Sequence, residues 1–190
     1  MTSITIFGSG NMGTAIGQLL TRGGSTVHHV SQTDEATIAD DIVVLAVPYE
    51  SLEAIVAQYG EQLSGKTVVD ITNPLDFDTF DSLKVPVDSS AAAGLQAALP
   101  STRVVKAFNT TFAATLKEGQ VGPHPTTVLV AGDDAGAKQS LIDVVKASGI
   151  QAIDAGSLNR ARQLEAMGFL QLTLANDEKV GWSGGFAVVA

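Results

Sequence analysis

Short apolar runs rich in β-branched residues recur along the chain, with helical patterns of apolar positions between them. The runs Ile4 to Phe7, Thr26 to Val30, Ile42 to Val47, Thr67 to Ile71, Val104 to Phe108, Thr127 to Ala131 and Gln151 to Asp154 read as strands. Helical spacing predicts helices over about Met12 to Arg22, Ser51 to Tyr59, Ser90 to Leu99 and Asp134 to Ser148, the last with Leu141, Val144 and Val145 on one face. Asp134 and Ser89 or Ser90 are candidate N-caps and Gly149 a candidate C-cap. A final helix over about Asn159 to Ala175 leads into Gly181-Trp182-Ser183-Gly184-Gly185 and a last apolar run, Phe186 to Val189. Alternating strand and helix predict an α/β fold with a mostly parallel sheet covered on both faces. Only eleven residues separate Val30 from Ile42, enough for a short helix over Asp34 to Asp40 but not for helix, strand and helix. The third strand usual in doubly wound sheets is therefore expected to be missing.

Composition narrows the reading. A chain of 190 residues that is 45% hydrophobic supports one sizeable core, so residues 1–190 are expected to form one domain, with 155–190 as a C-terminal helix and tail. There is no cysteine, which removes disulfides, thiolate nucleophiles and sulfur-ligated metals, and leaves redox chemistry to a bound cofactor. No leader segment is legible before Ile4, and the longest apolar run, Ile42 to Pro48, is far short of the roughly 18 residues of a membrane span. A soluble, cytoplasmic protein is expected. A net charge of −9 disfavours nucleic acid, whereas a dinucleotide can still be held by backbone amides at a helix N-terminus.

The sharpest motif is Gly8-Ser9-Gly10-Asn11-Met12-Gly13, a G-x-G-x-x-G element that follows a strand and opens a helix. Gly8 permits the tight turn, Gly10 admits the pyrophosphate, and Gly13 lets the helix pack closely on the sheet. Together with the strand pattern this predicts a Rossmann-type, doubly wound NAD(P)-binding domain. Gly17 reads as a packing residue.

An NAD-specific site usually carries a carboxylate at the end of the second strand. Here that end reads His28-His29-Val30-Ser31-Gln32-Thr33, without one, which favours NADP, with NAD as the alternative. Ser31, Gln32 and Thr33 offer hydrogen bonds to a 2′-phosphate. The next strand ends, Ala46-Val47-Pro48-Tyr49 and Thr72-Asn73-Pro74-Leu75, should line the other half of the crevice, where Asn73 offers both a donor and an acceptor to a carboxamide or ribose.

Read together, the fingerprint, Val44-Leu45-Ala46-Val47-Pro48, Val69-Asp70-Ile71-Thr72-Asn73-Pro74-Leu75, Lys106-Ala107-Phe108-Asn109-Thr110, Ala131-Gly132-Asp133-Asp134 and Asp154-Ala155-Gly156-Ser157-Leu158, with Ala161-Arg162 and Leu164-Glu165, resemble one family. It is the NADP oxidoreductases dependent on the deazaflavin coenzyme F420, whose Rossmann domain also resembles that of the membrane metalloreductases with six transmembrane helices. The resemblance implies that Ser9, Gly10, Asn11 and Met12 contact the pyrophosphate, Ser31 the 2′-phosphate, and Val47 and Pro48 the nicotinamide. It also implies that Phe108, Asn109 and Thr110 border the hydride acceptor, a deazaflavin or flavin. The chain departs from the family at Gln32, where Arg is frequent, and in the shortened segment after Val30.

Hydride transfer between two bound rings needs alignment and exclusion of water rather than an acid or base, and the sequence shows no catalytic residue and no convincing pair of carboxylates. Asp40-Asp41 and Asp133-Asp134 read as caps and turn formers, and Lys106 either as an anion ligand beside the acceptor or as a solvated strand end. Gly181 to Gly185 matches G-x-S-x-G, but no helix follows and every histidine lies upstream of Ser183, so a hydrolase is rejected. No histidine spacing suits a metal. The expected function is an NADP(H)-dependent oxidoreductase with a small-molecule redox partner. The alternatives are a non-catalytic NADP(H)-binding sensor or subunit, and a dehydrogenase for a small hydroxy or imino acid. The apolar C-terminal helix and tail suggest a homodimer.

Overall fold

A computed structural model of the chain describes residues 2–31 and 35–189. Seven strands form one sheet: β1 (Ser3–Phe7), β2 (Thr26–Val30), β3 (Ile42–Leu45), β4 (Thr67–Asp70), β5 (Arg103–Lys106), β8 (Thr127–Gly132) and β9 (Gln151–Gly156). A two-stranded hairpin of β6 (Gln120–Val121) and β7 (His124–Pro125) stands apart. The helices are α1 (Asn11–Arg22), α2 (Leu52–Leu63), α3 (Ala91–Ala98), α4 (Ala113–Glu118), α5 (Ala135–Ala147) and α6 (Ala161–Asn176), with single 3-10 turns leading into α2 and α6.

The sheet order is β2-β1-β3-β4-β5-β8-β9. The first five strands are mutually parallel, as are β8 and β9, but β8 meets β5 antiparallel. The expected α/β architecture holds. Among the described residues no strand lies between β2 and β3, and β2 is an edge of the sheet, so the missing third strand is borne out. The short helix expected over Asp34 to Asp40 does not form over residues 35–40, which run without regular structure. Asp34 itself lies outside the described residues. This stretch is held from outside instead: Ile38 is buried and its amide donates to Gln62 at 2.8 Å, while Lys66 donates to the carbonyl of Asp40 at 2.9 Å.

Strand alternation explains the two-sided core. Ile42 and Val44, Val69 and Val105 face the layer of α1, α4 and α5, where they join Ile16, Leu19, Phe108 and Leu141. Their neighbours Val43 and Leu45, Val68 and Val104 face the other way, among Ile55, Tyr59 and Leu95 of α2 and α3. Continuous apolar strands are what a sheet buried on both faces requires. α4 and the small hairpin were not legible, because a six-residue helix spans too few turns to display a period.

The expected N-caps form, whereas the C-cap of α5 is Ser148, with Gly149 following it at φ 87°. Ser90 accepts from the amide of Ala93 at 3.0 Å and Asp134 from that of Ala137 at 2.7 Å, each satisfying an otherwise orphaned donor. Asp134→Ala is expected to lower unfolding free energy by about 1 kcal/mol, read by urea denaturation; an unchanged midpoint would deny the cap any energetic role.

Candidate dinucleotide site

The carboxyl ends of β1, β3, β4 and β5 open on one cavity of about 750 Å³. One wall is the start of α1, with Gly10, Asn11 and Met12; the next is Ala46, Val47, Pro48 and Tyr49; the floor holds Thr72, Asn73 and Asn109. The far wall comes from Thr111 to Ala114, Lys117, Leu172 and Trp182. Ligands of open α/β sheets lie beyond the carboxyl ends of the strands, and this cavity is there.

The glycine turn has the geometry its residues imply. Gly8 sits at φ 101°, and a Cβ there would fall 2.2 Å from the carbonyl oxygen of Ala46. At Gly13 it would fall 2.3 Å from the carbonyl oxygen of Gly8, so turn and helix touch only because both residues lack side chains. Gly10 faces open space. The first turn of α1 has no side-chain cap and no acidic residue, so its amides are left to an anion. A pyrophosphate fits this turn. Gly17 is a packing residue as expected, since a Cβ there would meet the His29 ring at 2.6 Å.

The remaining site expectations distribute unevenly. Gly10, Asn11, Met12, Ala46, Val47, Pro48, Asn73 and Asn109 line the cavity. Ser9 lies exposed in the turn and Ser31 follows β2. Gln32 and Thr33 lie outside the described residues. Pro74 and Thr110 are buried off the cavity wall. Phe108 is fully buried in the core at φ 62°, a left-handed conformation unusual for an aromatic residue. Its kink turns the chain so that Asn109 and Thr111 reach the cavity while the ring points away from it.

Beneath the floor lies a group of charges that sequence reading misplaced. Lys106 is not solvated: it is completely buried, with its Nζ 2.9 Å from Asp70 Oδ2 and 2.9 Å from Glu165 Oε1. It also donates to the carbonyl of Thr72. Asp70 accepts from the Thr72 amide at 2.8 Å, and Glu165 from the amides of Ala91 and Ala92 at the start of α3. Asp70 and Glu165 are thus joined through Lys106 within the fold, and neither lines the cavity. Burial pushes the Glu165 carboxyl above its ordinary range, opposed by the Lys106 charge and the Ala91 amide. The signal was present in outline, since opposite charges close two neighbouring apolar strands in direct register, Asp70 opposite Lys106. Glu165, on a distant helix, gave no such cue.

The two asparagines of the floor are locked together. Asn73 Nδ2 donates to the Asn109 carbonyl at 2.9 Å, while Asn109 Nδ2 donates to Asn73 Oδ1 at 2.9 Å and to the Leu164 carbonyl of α6 at 2.8 Å. Gly168 makes the approach of α6 possible, because a Cβ there would lie 2.3 Å from Asn73 Oδ1 and 2.9 Å from the Asn109 carbonyl oxygen. The donor and acceptor expected of Asn73 are therefore both engaged within the protein.

At the edge strand, His28 and His29 point to opposite faces as alternation demands: His28 Nδ1 meets Asp40 at 2.9 Å, and His29 Nδ1 meets the Gly8 carbonyl at 3.1 Å. Asp40 also accepts from Thr5 at 2.8 Å; burial acts to raise its pKa, but the hydrogen bonds from His28, Thr5 and Ser3 hold it below the usual carboxylate value. That carboxylate is engaged in the fold, not presented to a ribose.

A glycine turn opening an uncapped helix at the carboxyl end of a parallel sheet defines a protein of the Rossmann type. Within that class, the family read from the motifs is the one found by comparison: the description NADP oxidoreductase, coenzyme F420-dependent, matches residues 24–74. The F420-dependent NADP reductase of Methanocaldococcus jannaschii is 35% identical over 140 residues, covering 72% of this chain and 62% of the relative. The metalloreductase STEAP3 of Rattus norvegicus is 32% identical and is matched over 73% of this chain and 27% of its own length. The chain thus spans less than two thirds of either curated relative. A candidate F420-dependent NADP reductase from Arthrobacter sp. FB24 superimposes with a TM-score of 0.84 at 26% identity, covering 98% of this chain and 99% of that one. Among the described residues no helix is long and apolar enough to cross a membrane.

Lys106→Met would leave two buried carboxylates facing each other, and is expected to cost about 3–5 kcal/mol of stability, measured by urea denaturation. Adding Asp70→Asn and Glu165→Gln should recover part of that loss. If the single variant is as stable as the parent, the triad does not hold the floor together.

Proposed function

We propose that the chain binds NADP(H) along the carboxyl ends of β1 to β4 and passes hydride between the nicotinamide and a second ring of deazaflavin type, a flavin being the alternative acceptor. What supports this most is that the cavity has two dissimilar halves: a glycine turn with free helix amides on one side, and an apolar chamber walled by Phe112, Ala113, Leu172 and Trp182 on the other. A relative named as an F420-dependent NADP reductase matches 72% of the chain, which supports the same reading. Gly8, Ser9, Gly10, Asn11, Met12 and Gly13 would hold the pyrophosphate, Ser31 and Gln32 the 2′-phosphate, and Ala46, Val47, Pro48 and Asn73 the nicotinamide side. The lack of a carboxylate from His28 to Thr33, at the end of β2, and the engagement of Asp40 support NADP over NAD.

When bound, the two rings supply the hydride donor and acceptor themselves. The chain's own task is alignment and dryness. Val47 and Pro48 would limit sliding of one ring, and the tilted pair of Phe112 and Trp182, centroids 5.1 Å apart, would wall the other side. The buried triad keeps Thr72 and Asn73 in place beneath them. A non-catalytic NADP(H) sensor would use the first half of the cavity alone and would have no use for the apolar second half.

Calorimetry with NADPH and NADH tests the reading, beside Gly10→Asp. Open space around Gly10 lets the variant fold, and its carboxylate would repel the pyrophosphate, so NADPH affinity should drop on the order of a hundredfold or more at unchanged melting temperature. Binding of neither nucleotide by the parent would sink the proposal. Tight NADPH binding without oxidation by a deazaflavin or a flavin would favour the sensor.

A further inference from the structure

The asparagine lock leaves two polar atoms over. Among the described residues, Thr72 Oγ1 and Asn109 Oδ1 are buried side-chain atoms with no hydrogen-bond partner. Both residues belong to the cavity wall, and each is only 4% exposed. Their orientation is not arbitrary. Turning the Asn109 amide over would bring its oxygen against the Leu164 carbonyl and Asn73 Oδ1, two acceptors that Nδ2 now satisfies. The Asn109 oxygen is therefore an acceptor that nothing in the protein meets. Thr72 is fixed through its backbone, its amide held by Asp70 and its carbonyl by Lys106, which sets where its side chain starts. Buried acceptors and hydroxyls left unpaired are costly, and native structures retain few of them.

The pair has a definite chemical complement. Asn109 Oδ1 can only accept, so it calls for an N–H; the Thr72 hydroxyl can donate, so it calls for a carbonyl oxygen. An amide edge, an N–H beside a C=O on a planar ring or its substituent, supplies both. We propose that Thr72 and Asn109 together recognise such an amide edge and thereby set which ring the cavity accepts and how it is turned. This deepens the hydride-transfer reading and rests on it. Two rings in that reading carry this chemistry, the nicotinamide through its carboxamide and the deazaflavin through its pyrimidinedione.

Thr72→Val is the informative variant, since it keeps the shape and removes only the unpartnered hydroxyl. Binding of NADPH and of 2′-phospho-ADP-ribose, which lacks the nicotinamide, is measured by calorimetry, together with melting temperature and the KM for 5-deazariboflavin reduced by NADPH. If the nicotinamide carboxamide is the edge read, NADPH affinity falls about tenfold, 2′-phospho-ADP-ribose affinity is unchanged and the melting temperature does not drop. The parent should then bind the 3-acetylpyridine analogue of NADP, a ketone without the N–H, about tenfold more weakly than NADP. If the edge belongs to the acceptor, NADPH affinity is unchanged and the KM for 5-deazariboflavin rises by about that factor instead. An unchanged NADPH affinity together with an unchanged KM for 5-deazariboflavin overturns the inference, as does a lowered melting temperature with equal loss of both nucleotides, which would make the hydroxyl structural. Failure of the parent to bind even 2′-phospho-ADP-ribose removes the dinucleotide reading, and this inference with it.

Discussion

Much of this structure depends on one buried ammonium. Lys106 ends β5 inside the protein, and its three protons go to Asp70 on β4, to Glu165 on α6 and to the backbone carbonyl of Thr72. Through Glu165 it also reaches the first amides of α3. A lone ammonium could not stay charged at such depth, and two lone carboxylates would repel. The group is tolerable only as a set, so two strands and two helices far apart in sequence must arrive together. The cavity floor rests on that set. Thr72 is held at its amide and its carbonyl, Asn73 follows immediately, and Asn109 stands three residues beyond Lys106. Binding geometry and stability share the same contacts here.

An acidic chain can present a site for a polyanion because the site uses almost no side-chain charge. The turn at Gly8 to Gly13 offers amides and space, and α1 begins without an acidic residue. The net charge of −9 then matters for the surface and little for the turn. In the proposed reading selectivity would fall instead to the end of β2 and to the uncharged floor. The far chamber is mostly apolar, with Lys117 and Glu118 at its wall, and in the proposed reading it would take a flat ring whose chemistry is its own.

The sheet was legible because strands buried on both faces read as unbroken apolar runs, and the glycine turn because its three glycines each answer a steric demand. The gap after Val30 foretold an edge strand, although the helix imagined there is absent: residues 35–40 are pinned by Gln62 and Lys66, contacts from α2 and the turn after it that no local pattern encodes. The reversal of β8 was not legible either, since direction depends on the path of the chain between Asn109 and Pro125 and not on strand composition. Asn73 lines the cavity, and its pairing within the protein had no cue in the sequence. Its donor and acceptor meet Asn109, a residue 36 positions away. Lys106 shows the same limit, for a lysine closing a strand looks solvated until Glu165, 59 residues on by the numbering, is brought beside it.

Gly168 constrains how such a protein can drift. Were Asn73 the only obstacle to a side chain at that position, a smaller residue at 73 could relieve it and the two sites could change in concert. The second obstacle is the carbonyl oxygen of Asn109, 2.9 Å from where a Cβ would stand, and a backbone atom cannot be exchanged by mutation. No compensating substitution at 73 frees position 168, so lineages that keep α6 docked on this turn are confined to glycine there whatever becomes of the asparagine.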